Sequence, residues 1–502
     1  MANLERGATA PPLPTENVDW TPSQWERYVT KALTSVSNAS TAWNDRTPLP
    51  TGEHVLGPLR SLPDEGAPID EILARIDDEV IPAAAFNGHP RWLAYITAAP
   101  LPIGVVGEFI ASALNQNTAL WRIAPGATRI ELETLAWIRD LVGMPEGTEG
   151  TFVSGGQMAN IVAHAVARDA QTPWDQREFG LRGPDGAAPP LRIYASDEAH
   201  YCHAQAAELL GLGRSAVRRV PVDQHYRLRV DALAQMVAAD RAAGALPITV
   251  VGTAGTVGTG AVDPLPAIRD FCRREALWFH IDGAYGAFAA LAESRPTSLD
   301  AIGDADSLAC DPHKWLYAPI DAGVTLIRDG RRLEQSFAFH ASYLHSAVSQ
   351  RGPDLLERSP ENTRPFRALK VWLMLQACGR RGYAQLIEGD LRLAAHMASL
   401  IKQTPTLELA ATRDLSIVCW RVVPPGRWTA ESLNAIQDAV IDELAKRGIA
   451  SISNARLANG DQSLRACIVN FRTTAADLEA IVSASEAIGR ELMGMLVVAA
   501  ES

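Results

Sequence analysis

Residues 277–286 read LWFHIDGAYG and residues 307–315 read SLACDPHKW. Each opens on an apolar run too short for a helix and closes on a turn that carries chargeable side chains, Asp282 in the first and Asp311, His313 and Lys314 in the second. Short apolar runs rich in β-branched residues and bounded by turn residues read as strands buried on both faces. Similar runs recur at residues 192–195, 248–252 and 323–327, which makes five buried parallel strands with 277–281 and 307–309. Amphipathic stretches at 130–141 and 157–168 supply helices between and before them. Strands alternating with helices predict an α/β chain with a mostly parallel, doubly wound sheet, and such sheets put functional residues at strand carboxyl ends.

Composition narrows the function. The chain has 502 residues, 47% hydrophobic and 21% charged, which suits a soluble globular protein with one large core and a satellite domain. A net charge of −12 and a pI near 5.5 argue against a nucleic-acid surface, which needs a basic stripe. The six cysteines are scattered without a CxxC pair, so neither a disulfide framework nor a metal cluster is expected. No window approaches the roughly 18 uninterrupted apolar residues of a membrane span, since Glu108 interrupts residues 101–114. Residues 1–20 hold Pro11, Pro12, Pro14 and acids where an export signal needs a basic start and an apolar core, so a cytoplasmic protein is expected.

Three stretches divide the chain: an N-terminal arm and helices at 1–88, a large domain at 89–388, and a small domain at 389–502 with strands near 416–423 and 464–471. Residues 333–364 are long, polar and hard to assign to any element, which marks a mobile loop.

Only five of the 46 basic residues are lysine, and Lys31, Lys370, Lys402 and Lys446 fall in helix-like stretches. Lys314 instead leaves a strand end beside His313 and Trp315, where desolvation would lower its pKa and suit it to imine formation. Taken alone, the pentapeptide fits a surface turn equally well. Asp282, followed by small residues, is placed to pair with a pyridinium nitrogen or, more plainly, to cap a helix. Ala284 leaves room for a flat ring. Ser154-Gly155-Gly156-Gln157 precedes a helix, so its backbone N–H groups can hold a phosphate. His200, after another strand, can stack on a ring or simply begin a helix. Together these residues offer what pyridoxal 5′-phosphate (PLP) requires.

The segments SGGQMAN (154–160), SDEAH (196–200), GTVGTGAVDP (255–264), HIDGAYG (280–286) and DPHKW (311–315) together resemble the group II PLP-dependent decarboxylases, a family that includes aromatic-L-amino-acid decarboxylase and animal-type glutamate decarboxylase. The resemblance runs from His89 through residues 366–372 to Arg465. It implies a fold type I, aspartate aminotransferase-like architecture with a large PLP domain and a small α+β domain. It implies that Lys314 carries PLP as a Schiff base, that Asp282 pairs with the ring nitrogen, and that His200 and Ala284 lie on the two ring faces. Gly155, Gly156 and Gln157 would hold the phosphate with His313. Thr256 would stand in for the hydroxyl side chain common at Val257, and Asp311 replaces a frequent Asn without consequence.

In the family a loop tyrosine matching Tyr343 delivers a proton to Cα, and members with Phe there tend to release aldehyde while consuming oxygen. The resemblance also implies a homodimer with shared active sites and interlocked N-terminal helices; Trp20, Trp25, Ile69, Ile72 and Ile76 sit on helical spacing that would suit this. Tyr95 matches aromatic-type members, whereas Asn117 and Ala119, near Trp121, replace larger apolar residues. The expectation is decarboxylation of an L-amino acid, aromatic ahead of acidic or diamino. An aldehyde synthase or other carbon–carbon lyase is the alternative, and a PLP-binding regulatory protein without turnover is the reading from another class.

Overall fold

Eleven strands form two sheets among the residues described by the computed structural model, which are 20–41, 46–50, 60–339, 352–423, 425–426 and 428–501. The first sheet contains β1 (Glu149–Val153), β2 (Leu191–Ser196), β3 (Val217–Val220), β4 (Leu246–Thr253), β5 (Trp278–Asp282), β6 (Ser307–Cys310) and β7 (Gly323–Ile327) in the order β1-β7-β6-β5-β4-β2-β3. Strands β3, β2, β4, β5 and β6 are parallel. All five β5 residues are buried, as expected of a strand covered on both faces.

Strands β1 and β3 go beyond the five read from the sequence. β1 begins Glu149-Gly150 and β3 carries Arg218 and Arg219, and these residues break the apolar run that betrays a buried strand. β7 is a correction of direction: expected parallel, it runs antiparallel to both β6 and β1. An apolar run has the same pattern in either direction. The link from β6 is occupied by the helical turn Pro312–Trp315 at the same sheet edge, and no crossover helix carries the chain back to the opposite edge.

The second sheet is antiparallel throughout, in the order β10 (Ser453–Arg456), β11 (Gln462–Cys467), β9 (Ile417–Val422), β8 (Leu407–Leu409). Helices Ala430–Lys446 and Ala475–Glu501 close a separate core on it through Ile436, Val440, Leu444, Leu478 and Ile481. Helix Ala368–Gln403 belongs to both cores, with Val371 and Met374 in the first and Met397 and Ile401 in the second. The 388/389 boundary expected from sequence falls inside that helix. The expected loop at 333–364 begins in helix Arg331–Phe337 and ends after a 3-10 turn at Leu355–Arg358, and residues 340–351 lie outside the described residues.

Reversing β7 brings its first residue, Gly323, against the turn after β1. A Cβ on Gly323 would stand 2.4 Å from Gly155 Cα, so the backbones touch and no side chain fits. That contact seats residues 154–156 at the sheet edge. Gly323→Ala should therefore lower the unfolding free energy by about 1–3 kcal/mol through overpacking, read as an earlier urea or thermal transition.

Candidate active site

Five strand ends meet at one edge of the large sheet. β1 delivers Ser154 to Gln157, β2 delivers Asp197 to His200, β4 delivers Gly255, β5 ends on Asp282, and β6 leads into Asp311 and Lys314. These residues line a cavity of about 870 Å³, closed on its other side by Tyr95, Ile96 and residues 453–456 and 465 of the small sheet.

Asp282 is 6% exposed. Its Oδ1 accepts the Ala284 N–H at 3.1 Å, and its Oδ2 lies 3.1 Å from His203 Nε2. Burial pushes the carboxyl up, but the His203 hydrogen bond and the nearby His203, His280 and Lys314 outweigh it and hold Asp282 well below the usual carboxylate range. Behind Asp282 the chain of contacts continues, since His203 Nδ1 lies 3.0 Å from His164 Nε2. His280 joins Ser307 Oγ at 2.8 Å to Asn160 Oδ1 at 2.7 Å, and burial drives its pKa down to about 3. Cys202, His203 and Asp282 present three donor atoms within 4.8 Å of one another. Burial pushes the Cys202 thiol up, away from the thiolate that a metal would need.

Lys314 Nζ lies 3.0 Å from Asp311 Oδ2, and Asp311 is 1% exposed. This pair corrects the expectation that desolvation leaves Lys314 with a lowered pKa. Burial alone does push the ammonium down, but the Asp311 and Asp282 charges and the Asp311 hydrogen bond together hold it above the ordinary lysine value of 10.5. Asp311 is therefore not a neutral stand-in for Asn.

The residues fit PLP. Gly155 has φ of 152°, a region that favours glycine, and a Cβ there would stand 3.2 Å from His313 Cε1. A Cβ on Gly156 would stand 2.7 Å from Asp311 Oδ2 and 3.0 Å from Ala284 Cβ. Two glycines thus keep open a cradle at the start of the 16-residue helix Gly156–Gln171, where backbone N–H groups and the helix dipole favour an anion. His200 is half-buried, accepts the Cys202 N–H on Nδ1 at 3.1 Å, and is kept neutral by burial, as suits a ring-stacking face.

Of the site residues expected from sequence, Lys314, Asp282, His200, Gly155, Gly156, Gln157, Ala284, His313 and Tyr95 all line the cavity. Thr256 is fully buried behind it, its hydroxyl 3.0 Å from that of Thr259. Asn117, Ala119 and Trp121 stand apart from the cavity: Asn117 Oδ1 accepts the N–H groups of Ala119 and Arg364, and the Trp121 N–H donates to Asp354. Tyr343 lies outside the described residues. Sequence reasoning missed His203 and His164, along with Arg465 as a wall residue. Arg465 is 3% exposed and donates to the carbonyls of Tyr95, Val257 and Gly258.

The model of the pyridoxal-dependent decarboxylase conserved domain matches residues 55–423. The chain belongs to that family. Its cofactor is PLP, its reaction is that of a carboxy-lyase acting on an amino acid, and its architecture is fold type I. It is 33% identical over 434 residues to an aromatic-L-amino-acid decarboxylase of Bacillus atrophaeus, covering 86% of this chain and 88% of that one. It is 30% identical over 410 residues to an L-2,4-diaminobutyrate decarboxylase of Acinetobacter baumannii, covering 79% of each. A crystal structure of Oryza sativa TDC with PLP and tryptamine superposes with a TM-score of 0.88 at 26% identity, covering 95% of this chain and 99% of that one.

If Lys314 is the amine that captures PLP, its pair with Asp311 has a measurable cost for this decarboxylase, because an ammonium cannot attack an aldehyde. Asp311→Asn should shift the pH midpoint for PLP capture by the apo-protein to lower pH, as read by borohydride trapping across a pH series. The sign for stability is the opposite. With a folded-state value above 10.5, the pair stabilises the apo fold fully below pH 10.5, and that contribution is lost as pH rises through the folded value. Asp311→Asn should accordingly lower apo stability at neutral pH.

Proposed function

We propose that this decarboxylase acts on an L-amino acid with an aromatic side chain, releasing the amine and CO₂. The observation that carries the reading is the apolar part of the cavity wall around Lys314, where Tyr95, Ile96, Val257 and Ile320 offer carbon surface. Tyr95 keeps 66% of its surface exposed, enough for a substrate ring to cover. Burying an aromatic side chain removes about 150–250 Å² from water, which a wall of this kind supports. The relative from Bacillus atrophaeus and the tryptamine-bearing rice structure support the same reading.

Lys314 would hold PLP through an imine. Asp282 would face its ring nitrogen, with His200 and Ala284 against the ring faces. Gly155, Gly156, Gln157 and His313 would hold the phosphate, and Thr256 would steady the turn behind them. When bound, PLP supplies an electron sink for the pair left on Cα as CO₂ departs. Asp311 holds the proton on the free Lys314 amine at Nζ. Tyr343 is assigned the proton delivered to Cα on its sequence position alone.

The proposed partner is a second copy of the chain. Helix Pro102–Leu114 exposes Val105, Val106, Phe109 and Ile110, and helix Pro22–Thr41 exposes Trp25, Leu33 and Val36. Apolar faces of this kind call for a cover. Asn117, Ala119 and Trp121 follow directly after the first of these helices, so the proposed dimer would bring that segment close to the partner. Six free cysteines favour a reducing, cytoplasmic setting, and among the described residues no helix is long and apolar enough to cross a membrane.

Arg465 favours a second reading, in which the substrate side chain is acidic. Its Nη2 has no partner among the described residues, although the residue lines the cavity. A panel of amino acids incubated with the PLP-loaded protein separates the readings, with CO₂, amine, aldehyde and oxygen measured together. The expected result is equal CO₂ and amine from aromatic substrates without oxygen uptake. Turnover of only acidic or diamino substrates would reverse the substrate assignment.

Two variants test the shared site. Tyr343→Phe should lower amine formation about 100-fold or more, as loss of a general acid does, while aldehyde and oxygen uptake rise. Lys314→Ala chains mixed with Tyr343→Phe chains should recover part of the lost activity through hybrid dimers. No recovery after verified subunit exchange would sink the shared site.

A further inference from the structure

We infer that His203 and His164 form a buried positioning pair that fixes the orientation of Asp282, leaving one defined face of its carboxylate for the cofactor's ring nitrogen. The inference rests on the assignment of Asp282 to that nitrogen and adds two residues that touch neither PLP nor substrate.

Both histidines are 1% exposed. His203 lies on helix Cys202–Leu209 and His164 on helix Gly156–Gln171, so two separate elements bring them behind β5. The contacts have one consistent direction. Asp282 Oδ2 can only accept while the acid is ionised, so His203 Nε2 donates to it at 3.1 Å. His203 Nδ1 then accepts from His164 Nε2 at 3.0 Å. His164 Nδ1 ends the chain as a bare lone pair, without a hydrogen-bond partner among the described residues.

This direction is the cheap one. A neutral pair leaves only an acceptor unmatched at its buried end, whereas an added proton would place an unpaired N–H and a charge there. Burial drives the His164 pKa well below the ordinary value, in keeping with a neutral ring. Around the pair stand Cys202, with Sγ 4.0 Å from Asp282 Oδ2, and His280, whose ring centroid is 5.3 Å from that of His164. His280 is committed to Asn160 and Ser307 and offers no competing donor to Asp282.

The two Asp282 oxygens therefore have different duties. Oδ2 is held from behind by His203, and Oδ1 is steadied by the Ala284 N–H at the cavity wall. Without His203 the carboxylate would lose its rear anchor and could turn toward Lys314 or take up a proton. Either change would weaken its hold on a protonated ring nitrogen.

Four full-length variants test the pair: Asp282→Asn, His203→Leu, His203→Gln and His164→Leu. For each, the PLP dissociation constant is measured by titrating the apo-protein, and the ¹⁵N chemical shift of ring-labelled PLP is measured in the loaded protein. His203→Leu should weaken PLP binding about 10-fold or more, the scale of a lost hydrogen bond to a charged group. Its ¹⁵N signal should move toward that of an unprotonated ring. His203→Gln keeps an N–H donor and should restore both readouts, and His164→Leu should fall between.

A wild-type ¹⁵N shift and dissociation constant in His203→Leu would overturn the proposal. If His203→Leu does not fold, His164→Leu decides, because its one hydrogen bond among the described residues runs to His203, and an unchanged signal there overturns the proposal. Asp282→Asn separates the two layers. If it leaves the ¹⁵N signal unmoved, the assignment of Asp282 to the ring nitrogen fails and the proposal falls with it. If it moves the signal while the histidine variants do not, the positioning pair alone is wrong.

Discussion

A negative charge buried at the carboxyl end of β5 has to be held in place, and much of the site is arranged around holding it. Removing a carboxylate from water is costly unless hydrogen bonds and charge replace its hydration. Asp282 recovers these from the Ala284 N–H, from His203 and from the nearby Lys314 ammonium. Its position is fixed by the sheet itself, because it pairs in register with Thr253 of β4 and Ala309 of β6. Lys314 then reaches the same cavity from the next strand, after a turn of only a few residues.

Topology makes that convergence possible. Parallel strands send all their carboxyl ends to one edge, so short turns after β1, β2, β4, β5 and β6 meet there without long connections. The reversed β7 contributes its first residue to the same edge, and Gly323 lets it press against the Gly155 turn. The small sheet closes the far side through Arg465, which ties the turns at Tyr95 and at Val257 and Gly258 to β11. One buried guanidinium thus fastens three segments distant in sequence.

Lys314, Asp282 and the Gly155-Gly156 turn were legible in the sequence because each follows a strand and each needs a particular residue type for its chemistry. The direction of β7 was not, since an apolar run looks alike either way. Neither was His203 nor His164. Each sits on its own helix, 39 positions from the other, and only the packing of those helices behind β5 makes them a pair. The one available signal was a histidine at 164 within the apolar run Val162, Ala163, Ala165, Val166, a place where a polar ring must find a partner. Asp311 was visible but undervalued: a change from amide to acid looks conservative until the acid proves to be buried 3.0 Å from the key amine.

The two acids of the site have partners of different kinds, and the difference matters for the chemistry. Asp311 is matched by a cation, Lys314, at 3.0 Å, and the same ammonium also lowers the pKa of Asp282. Asp282 is matched at hydrogen-bond distance by His203, whose other ring nitrogen lies 3.0 Å from Nε2 of the buried His164. A hydrogen-bond donor on Oδ2 fixes the direction in which the carboxylate presents its remaining lone pairs. Asp311 thus anchors the Lys314 ammonium at 3.0 Å, from where its charge still helps to keep the β5 carboxylate an anion.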